Sequence, residues 1–256
     1  MDVDFGMRSG DYAEHRPGFP ESFYDRLEGL RPLSDARALD AGTGPGVMAL
    51  ELARRGARVV GIDVAENQIL AARQRAAALG LAKQTQFLVA AVEKTGLESC
   101  RFDLATAGQC WIWFREDKAM AELRRVLEPG GLLVVAHYSY LPRLSKLAGL
   151  TEELILKHNP GWSMADSDGM FPEHIDTLAA GGFRLVEQFC YHHDQPFTHE
   201  SWRGRIRTCN GVGSGAMSDS ELEAFDAELQ ALLVEEFPEE PLHVVHRVWA
   251  VVVQRS

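Results

Sequence analysis

The segment Asp40-Ala41-Gly42-Thr43-Gly44-Pro45-Gly46 packs an acid, a hydroxyl and three glycines into seven residues. Glycine has no Cβ, so such a run can turn sharply and bring bare backbone amides against a ligand. The helix expected from Val47 onward aims its N-terminus at the same place, where negative charge is favoured. Asp63 closes a second apolar run, Val59-Val60-Gly61-Ile62. It stands about 20 residues past the loop, the spacing at which an acid binds ribose hydroxyls. It can also simply cap the helix that begins near Ala65. A dinucleotide loop needs G-x-G-x-x-G, and here Val47 occupies the place of the third glycine, which comes one residue early. Asp40 would repel a pyrophosphate but can accept a hydrogen bond from an ammonium group.

Other residues able to do chemistry follow later apolar runs. His137 ends one of them and precedes Tyr138 and Tyr140. An imidazole titrates near neutrality, so His137 is the candidate general base, with a hydrogen-bonded structural histidine as the alternative. Trp111 and Trp113 are two apart, which on an extended segment puts both on one side. They can wall a pocket or pack against a cation, or one of them can be core. Trp202, Arg203, Arg205 and Arg207 fall in a helical stretch where Arg203 and Arg207 share a face and Arg205 does not. An arginine here can clamp a substrate carboxylate, while salt bridges are expected for at least two of the three. His192 and His193 are adjacent on an expected strand and point to opposite faces, so they and Asp194 are not expected to bind metal.

The elements that position these residues alternate in the first half. Strands are expected at 36–41, 58–62, 86–90, 102–107 and 132–137, with helices at 47–55, 66–79 and 116–127. Gly56 and Gly80 stop two of the helices, and Glu128-Pro129-Gly130-Gly131 ends the third. This order predicts a parallel sheet with helices on both faces. Further on, 139–182 reads as helix and loop, 183–191 as a sixth strand, 198–236 as a helical, Gly-containing insertion and 242–253 as a last strand. The insertions are expected over the C-terminal edge of the sheet.

The chain has 256 residues, 26 Lys+Arg against 37 Asp+Glu, and a net charge of −11. An acidic chain is a poor default partner for a phosphate backbone, so no nucleic acid is expected. The four cysteines fit no zinc spacing, and reduced thiols in a cytoplasmic protein are expected. The N-terminal stretch lacks the apolar core of a signal peptide, and no run is long enough to span a bilayer. One domain is expected over 1–256, with an N-terminal lid segment at 1–35, a cofactor-binding core at 36–137 and lid insertions at 138–182 and 198–240.

An acid beside bare amides suits a ligand with an ammonium and a carboxylate, such as the methionine end of S-adenosylmethionine. The wider pattern agrees. Leu39-Asp40-Ala41-Gly42-Thr43-Gly44-Pro45-Gly46 resembles motif I of the class I methyltransferases, and Val59 to Ile69 resembles their ribose and adenine segment. Phe102 to Gln109 resembles the fourth-strand motif, and Leu123 to Ala136 the motif with a Pro-Gly-Gly turn before strand five. Tyr12 to Pro20 and Gln109 to Phe114 resemble the trans-aconitate-methyltransferase-like branch, with Ile112 where that branch has a histidine. The resemblance implies a Rossmann-like α/β fold, a seven-stranded mostly parallel sheet with an antiparallel last strand and helical insertions forming a lid. It implies S-adenosylmethionine as methyl donor, held by Arg16, Asp40, Gly42, Thr43, Gly44, Gly46, Asp63, Val64, Gln68, Val92, Glu93, Ala107 and Gln109. Ala91 replaces an acid often found after strand three, so the adenine amino group is left to backbone or Glu93. Tyr12, Trp111, Trp113, Tyr140, Trp202 and Arg205 are implied for the acceptor, a small molecule methylated on O, N or C, by a monomer or homodimer. Residues 1–20 are expected to order over bound ligand. The competing readings are a cofactor-binding protein without turnover and a nicotinamide-dependent reductase, the latter disfavoured by Asp40 and Val47.

Overall fold

Glycine-bounded apolar runs become the strands, and the Ala- and Leu-rich stretches between them become helices, because each strand must be covered by an apolar face. The computed structural model describes residues 15–213 and 216–256. The elements run α1 (Glu21–Leu30), β1 (Arg37–Ala41), α2 (Val47–Arg54), β2 (Arg58–Asp63), α3 (Glu66–Ala78), β3 (Thr85–Val89) and β4 (Phe102–Gly108). After a 3₁₀ turn at Trp111–Trp113 come α4 (Glu116–Val126), β5 (Leu127–Tyr140), α5 (Lys146–His158), α6 (Glu173–Ala180) and β6 (Phe183–Phe197). The chain ends with α7 (His199–Arg207), α8 (Asp219–Glu236) and β7 (Leu242–Arg255). The seven strands form one sheet in the order β3-β2-β1-β4-β5-β7-β6. The pairs β3–β2, β2–β1, β1–β4 and β4–β5 are parallel, and the last strands are antiparallel, with helices around the sheet.

Two strands, β5 and β6, run well beyond their expected limits. β5 begins at Leu127 because Leu127 pairs with Phe102, ahead of the Pro-Gly-Gly turn. The ladder then shifts register and resumes at Leu104 and Leu132, so the turn lies in a bulge. β6 continues past Tyr191 to Phe197, where Thr198 starts α7 with a capping box shared with Ser201. Ser218 and Glu221 cap α8 in the same way.

The chain divides into two units. One comprises residues 18–138, 171–191 and 248–256. Its core gathers Phe23 and Leu27 of α1, Leu50 and Leu52 of α2, Ile69 and Ala72 of α3, Val59, Leu104, Val134 and Val248. The other comprises, among the described residues, 15–17, 139–170 and 192–247. Its core is Leu147 and Ile155 of α5, Trp202 and Ile206 of α7, Phe225, Leu229 and Leu233 of α8, and Tyr140 and Val244. Tyr12 and most of the expected ligand-ordered segment lie outside the described residues. Among the described residues no helix is long and apolar enough to cross a membrane, and no group of three His, Cys, Asp or Glu side chains could hold a metal ion.

Candidate functional site

β1 delivers Asp40 to the C-terminal edge of the sheet, and the next residues leave the ladder as the glycine loop. Gly42 has φ +65° and Gly46 φ +81°, a region that side chains rarely adopt. A Cβ on Gly42 would lie 2.8 Å from both Cβ and Sγ of Cys110. Gly46 caps α2, so the loop feeds directly into a helix N-terminus.

Two carboxylates organise this loop. Asp40 is buried, and each of its oxygens accepts one hydroxyl: Oδ2 from Thr43 at 2.6 Å and Oδ1 from Thr106 at 2.7 Å. Thr106 is its register partner on β4. Burial raises the Asp40 pKa to about 6, against the lowering effect of the two hydroxyls, and the nearby charge of Asp63 raises it further. Asp63, at the end of β2, accepts the backbone N–H of Gly44 at 3.0 Å and that of Ala65 at 2.9 Å. It therefore holds the loop and starts α3 together, and the two roles weighed for it coexist. Burial raises its pKa as well, against those backbone hydrogen bonds. No Lys or Arg stands within ion-pair distance of either acid among the described residues. At neutral pH the loop thus carries negative charge with no positive side chain to balance it.

The other expected cofactor residues are distributed as follows. Val64 is 71% exposed, an apolar side chain left open beside Asp63. Gln68 on α3, Val92 and Ala107 on β4 are buried. Glu93 accepts the backbone N–H of Arg115 at 3.0 Å, which commits one of its oxygens to the start of α4. Gln109 sits at φ +65° and donates its amide to the carbonyl of Tyr138. Arg16 belongs to the other unit. Replacing Asp63 by Ala is expected to weaken S-adenosylhomocysteine binding by about 1.5–3 kcal/mol. It is also expected to lower stability by about 1–2 kcal/mol, since two backbone donors lose a charged acceptor. Calorimetry and urea unfolding on the same variant separate the two, and an unchanged dissociation constant would take Asp63 out of the site.

Three expectations about reacting or substrate residues need correction. His137 is buried, and its ring stacks on Phe171 at 3.6 Å with His174 at 5.4 Å. Burial, and then the neighbouring His174, lower its pKa to about 3, and Nε2 has no hydrogen-bond partner. A ring in that state is neutral and weakly basic at pH 7, so it does not fit a base titrating near neutrality. Trp111 and Trp113 do not share a side. They occupy a 3₁₀ turn, where i and i+2 diverge, and Trp111 is fully buried against Phe114 and His174 while Trp113 is 42% exposed. Trp202 is core: it is fully buried and donates Nε1–H to Thr151 Oγ1 at 3.1 Å. The helical spacing of the arginines behaves as expected. Arg203 and Arg207 both reach Asp226, and Arg205 turns inward, buried over the ring of Tyr140.

Sequence reasoning missed Thr106, Gly61 and Cys110. Thr106 is a buried hydroxyl between the apolar Leu104-Ala105 and Ala107 of β4, a signal in itself. Gly61 interrupts a strand, which marks a close approach by another group. A Cβ there would lie 2.6 Å from Phe87 Cδ1 and 2.8 Å from Thr43 Oγ1. Cys110 carried no signal; its thiol lies 3.1 Å from the Ala41 carbonyl, under Gly42.

The comparisons with known proteins cover this same region and more. A methyltransferase-domain family model matches residues 39–135. An uncharacterized methyltransferase of Mycobacterium tuberculosis is 33% identical over 133 residues, 52% of this chain and 51% of that protein. The match thus spans about half the length of that relative. Malonyl-[acyl-carrier protein] O-methyltransferase of Geobacter sulfurreducens is 30% identical over 202 residues, 75% of this chain and 70% of that one. A solved structure from Anaeromyxobacter dehalogenans superposes with a TM-score of 0.67 at 24% identity, covering 94% of this chain and 98% of that one. The ordered motifs, the sheet order and these matches agree: the chain belongs to the class I S-adenosylmethionine-dependent methyltransferases.

Proposed function

We propose that the protein transfers a methyl group from S-adenosylmethionine to a small-molecule acceptor. The observation that carries this is the charge of the loop. Asp40 and Asp63 converge on Gly42 to Gly46 without a countercharge among the described residues. Such a loop favours a cationic ligand and disfavours a pyrophosphate. When bound, the cofactor supplies a methyl group on a positively charged sulfur.

The protein's own residues bind and orient. Asp63 is positioned to accept ribose hydroxyls with the lone pairs that Gly44 and Ala65 leave free, and Val64 offers an apolar face to the adenine. The Gly42 amide and the α2 N-terminus suit a carboxylate, while the Gly44 amide is held by Asp63. Asp40 acts by charge and by holding Thr43, because both its oxygens already accept hydroxyls. Glu93, partly committed to Arg115, is a weaker candidate for the adenine amino group. Most rate enhancement would come from holding acceptor and methyl in line with water excluded. Since His137 is not a competent base, an acceptor atom that is already nucleophilic at neutral pH fits best. The Geobacter relative is by name an O-methyltransferase, which makes oxygen a reasonable first acceptor to screen.

In calorimetry, S-adenosylmethionine and S-adenosylhomocysteine are expected to bind and NAD is not. Equal or tighter binding of NAD would overturn the assignment of the loop. If the donor binds but is consumed with no acceptor, the protein is a binding protein that kept the fold.

A further inference from the structure

Asp40 is a buried acid with no balancing cation among the described residues, and the donors that keep it charged are all neutral. Thr43 Oγ1 donates to Oδ2 at 2.6 Å and Thr106 Oγ1 to Oδ1 at 2.7 Å. The backbone N–H of Ala49, in the first turn of α2, acts in the same direction. A hydroxyl stabilises a carboxylate without cancelling its charge, whereas a lysine or arginine would cancel it. The charge is therefore left for a ligand. Thr106 is the least expected of these donors. It is fully buried within the sheet, in register with Asp40 on β1 and Val134 on β5. A valine would suit a strand as well, and a buried hydroxyl costs free energy unless it is bonded. What Thr106 contributes there is the hydrogen it gives to Asp40.

We propose that Thr106 is a positioning residue for the cofactor: its hydroxyl holds Asp40 ionised, and the positively charged end of the cofactor binds that ionised form. Where the free protein starts with Asp40 protonated, the O–H bond breaks on binding. The electron pair stays on the carboxylate and the proton goes to the buffer. Affinity is then full while Asp40 is a carboxylate and falls as pH drops through its pKa of about 6. Among the described residues, the ionisable groups that face Asp40 are Asp63 from β2, Tyr24 from α1 and Cys110 after β4. Burial pushes the Tyr24 hydroxyl and the Cys110 thiol well up, so both stay neutral and only Asp63 adds charge. Glu51 of α2 is engaged by Arg54 and Arg55. All these residues belong to one unit. The proposal deepens the cofactor reading of the loop and rests on it.

The test uses the full chain, with Thr106→Val, Thr106→Ser, Asp40→Asn and the double variant Asp40→Asn/Thr106→Val beside the wild type. The probe is S-adenosylhomocysteine, titrated by calorimetry between pH 5.5 and 8.5, with thermal melting as the check on folding. Measurement in two buffers of unequal ionisation enthalpy counts the protons released. Wild-type affinity is expected to fall about fourfold from pH 8.5 to 5.5, with proton release at the acid end. Thr106→Val loses one donor to the charged form, which should raise the midpoint by about one pH unit and make the same fall about thirtyfold. At pH 8.5 it should match the wild type, a recovery that a merely structural defect would not show. Thr106→Ser should restore the wild-type profile. Asp40→Asn should bind weakly with no such fall, and the double variant should match it. Adenosine, which lacks the charged end, should bind wild type and Thr106→Val alike. A loss in Thr106→Val that is equal at every pH, an unchanged midpoint, no rescue by serine, or no proton release would each overturn the proposal. If Thr106→Val does not fold, a pH-dependent Asp40→Asn, or a double variant weaker than Asp40→Asn, overturns it. Tight wild-type binding with a flat profile keeps the cofactor reading and removes only the role of Thr106. No binding of S-adenosylhomocysteine at any pH would sink both.

Discussion

Lowering the pH from 7 to 4.5 is expected to remove about 3 kcal/mol of folding stability, a large share of the ~5–15 kcal/mol typical of a domain. The cause is two buried histidines. His137 and His246 both have pKa values lowered to about 3 by burial, from an ordinary 6.5. Between those values the unfolded chain binds protons that the folded chain refuses. Stability is therefore complete above pH 6.5 and lost as pH falls toward 3. At pH 4.5 each imidazole contributes a loss of about 2.5 kcal/mol. Asp40 works in the opposite direction. Its pKa is raised to about 6 from 3.8, so the folded state takes up a proton first and gains about 2 kcal/mol over the same interval. Asp103 and Glu122, both held near 2, contribute to acid unfolding only below about pH 4.5, outside this range. Urea unfolding at half-unit steps between pH 7.5 and 4.5 measures the slope. His137→Phe should flatten it by close to one proton, since the ring already stacks on Phe171 and its Nε2 has no partner to lose. A flat profile for the wild type, or an unchanged slope in the variant, would show that these imidazoles accept protons in the folded state.

Gly61→Ala is expected to be more damaging than any exposed substitution, with a loss of about 3–5 kcal/mol. The backbone there is ordinary, so conformation is not the reason; space is. Gly61 is paired with Asp40 on β1 and Phe87 on β3. A methyl group would sit 2.6 Å from the Phe87 ring and 2.8 Å from the Thr43 hydroxyl. Neither can yield cheaply. Phe87 is buried in the core, and Thr43 donates to the buried Asp40 carboxylate. Displacing Thr43 leaves Asp40 short of a donor and loosens the glycine loop, so cofactor affinity should fall with stability. Chemical unfolding together with S-adenosylhomocysteine calorimetry checks both. Wild-type affinity in a destabilised Gly61→Ala protein would show that the loop does not depend on Thr43.

The glycine loop and its acids were legible in the sequence because their reasons are local. Positive φ at Gly42, Gly44 and Gly46 is written into three glycines, and the Asp63 spacing follows from one strand and one helix. The arginines of α7 were legible for the same reason, since a 3.6-residue period separates Arg205 from Arg203 and Arg207. What escaped were properties set by distant chain. The basicity of His137 depends on Phe171 and His174, more than thirty residues on, which no local pattern announces. The divergence of Trp111 and Trp113 depends on a single 3₁₀ turn in place of extended backbone. The early start of β5 depends on Leu127 finding Phe102 across a bulge.

The order of the sheet has one more consequence, for behaviour in concentrated solution. It ends on β6, a strand of fifteen residues with no strand beyond it among the described residues. The other border, β3, has only five. A long free border is a template on which a foreign strand can grow, and Leu185 and Val186 lie exposed on it side by side. What interrupts the template is polar and local. Arg184 precedes that pair, and Glu187, gripped by Arg26 of α1, follows it. Farther along, Asp194 and Pro196 break the run again, the proline having no N–H to offer. Protection of this border thus rests on a few side chains of one strand, far in sequence from the glycine loop.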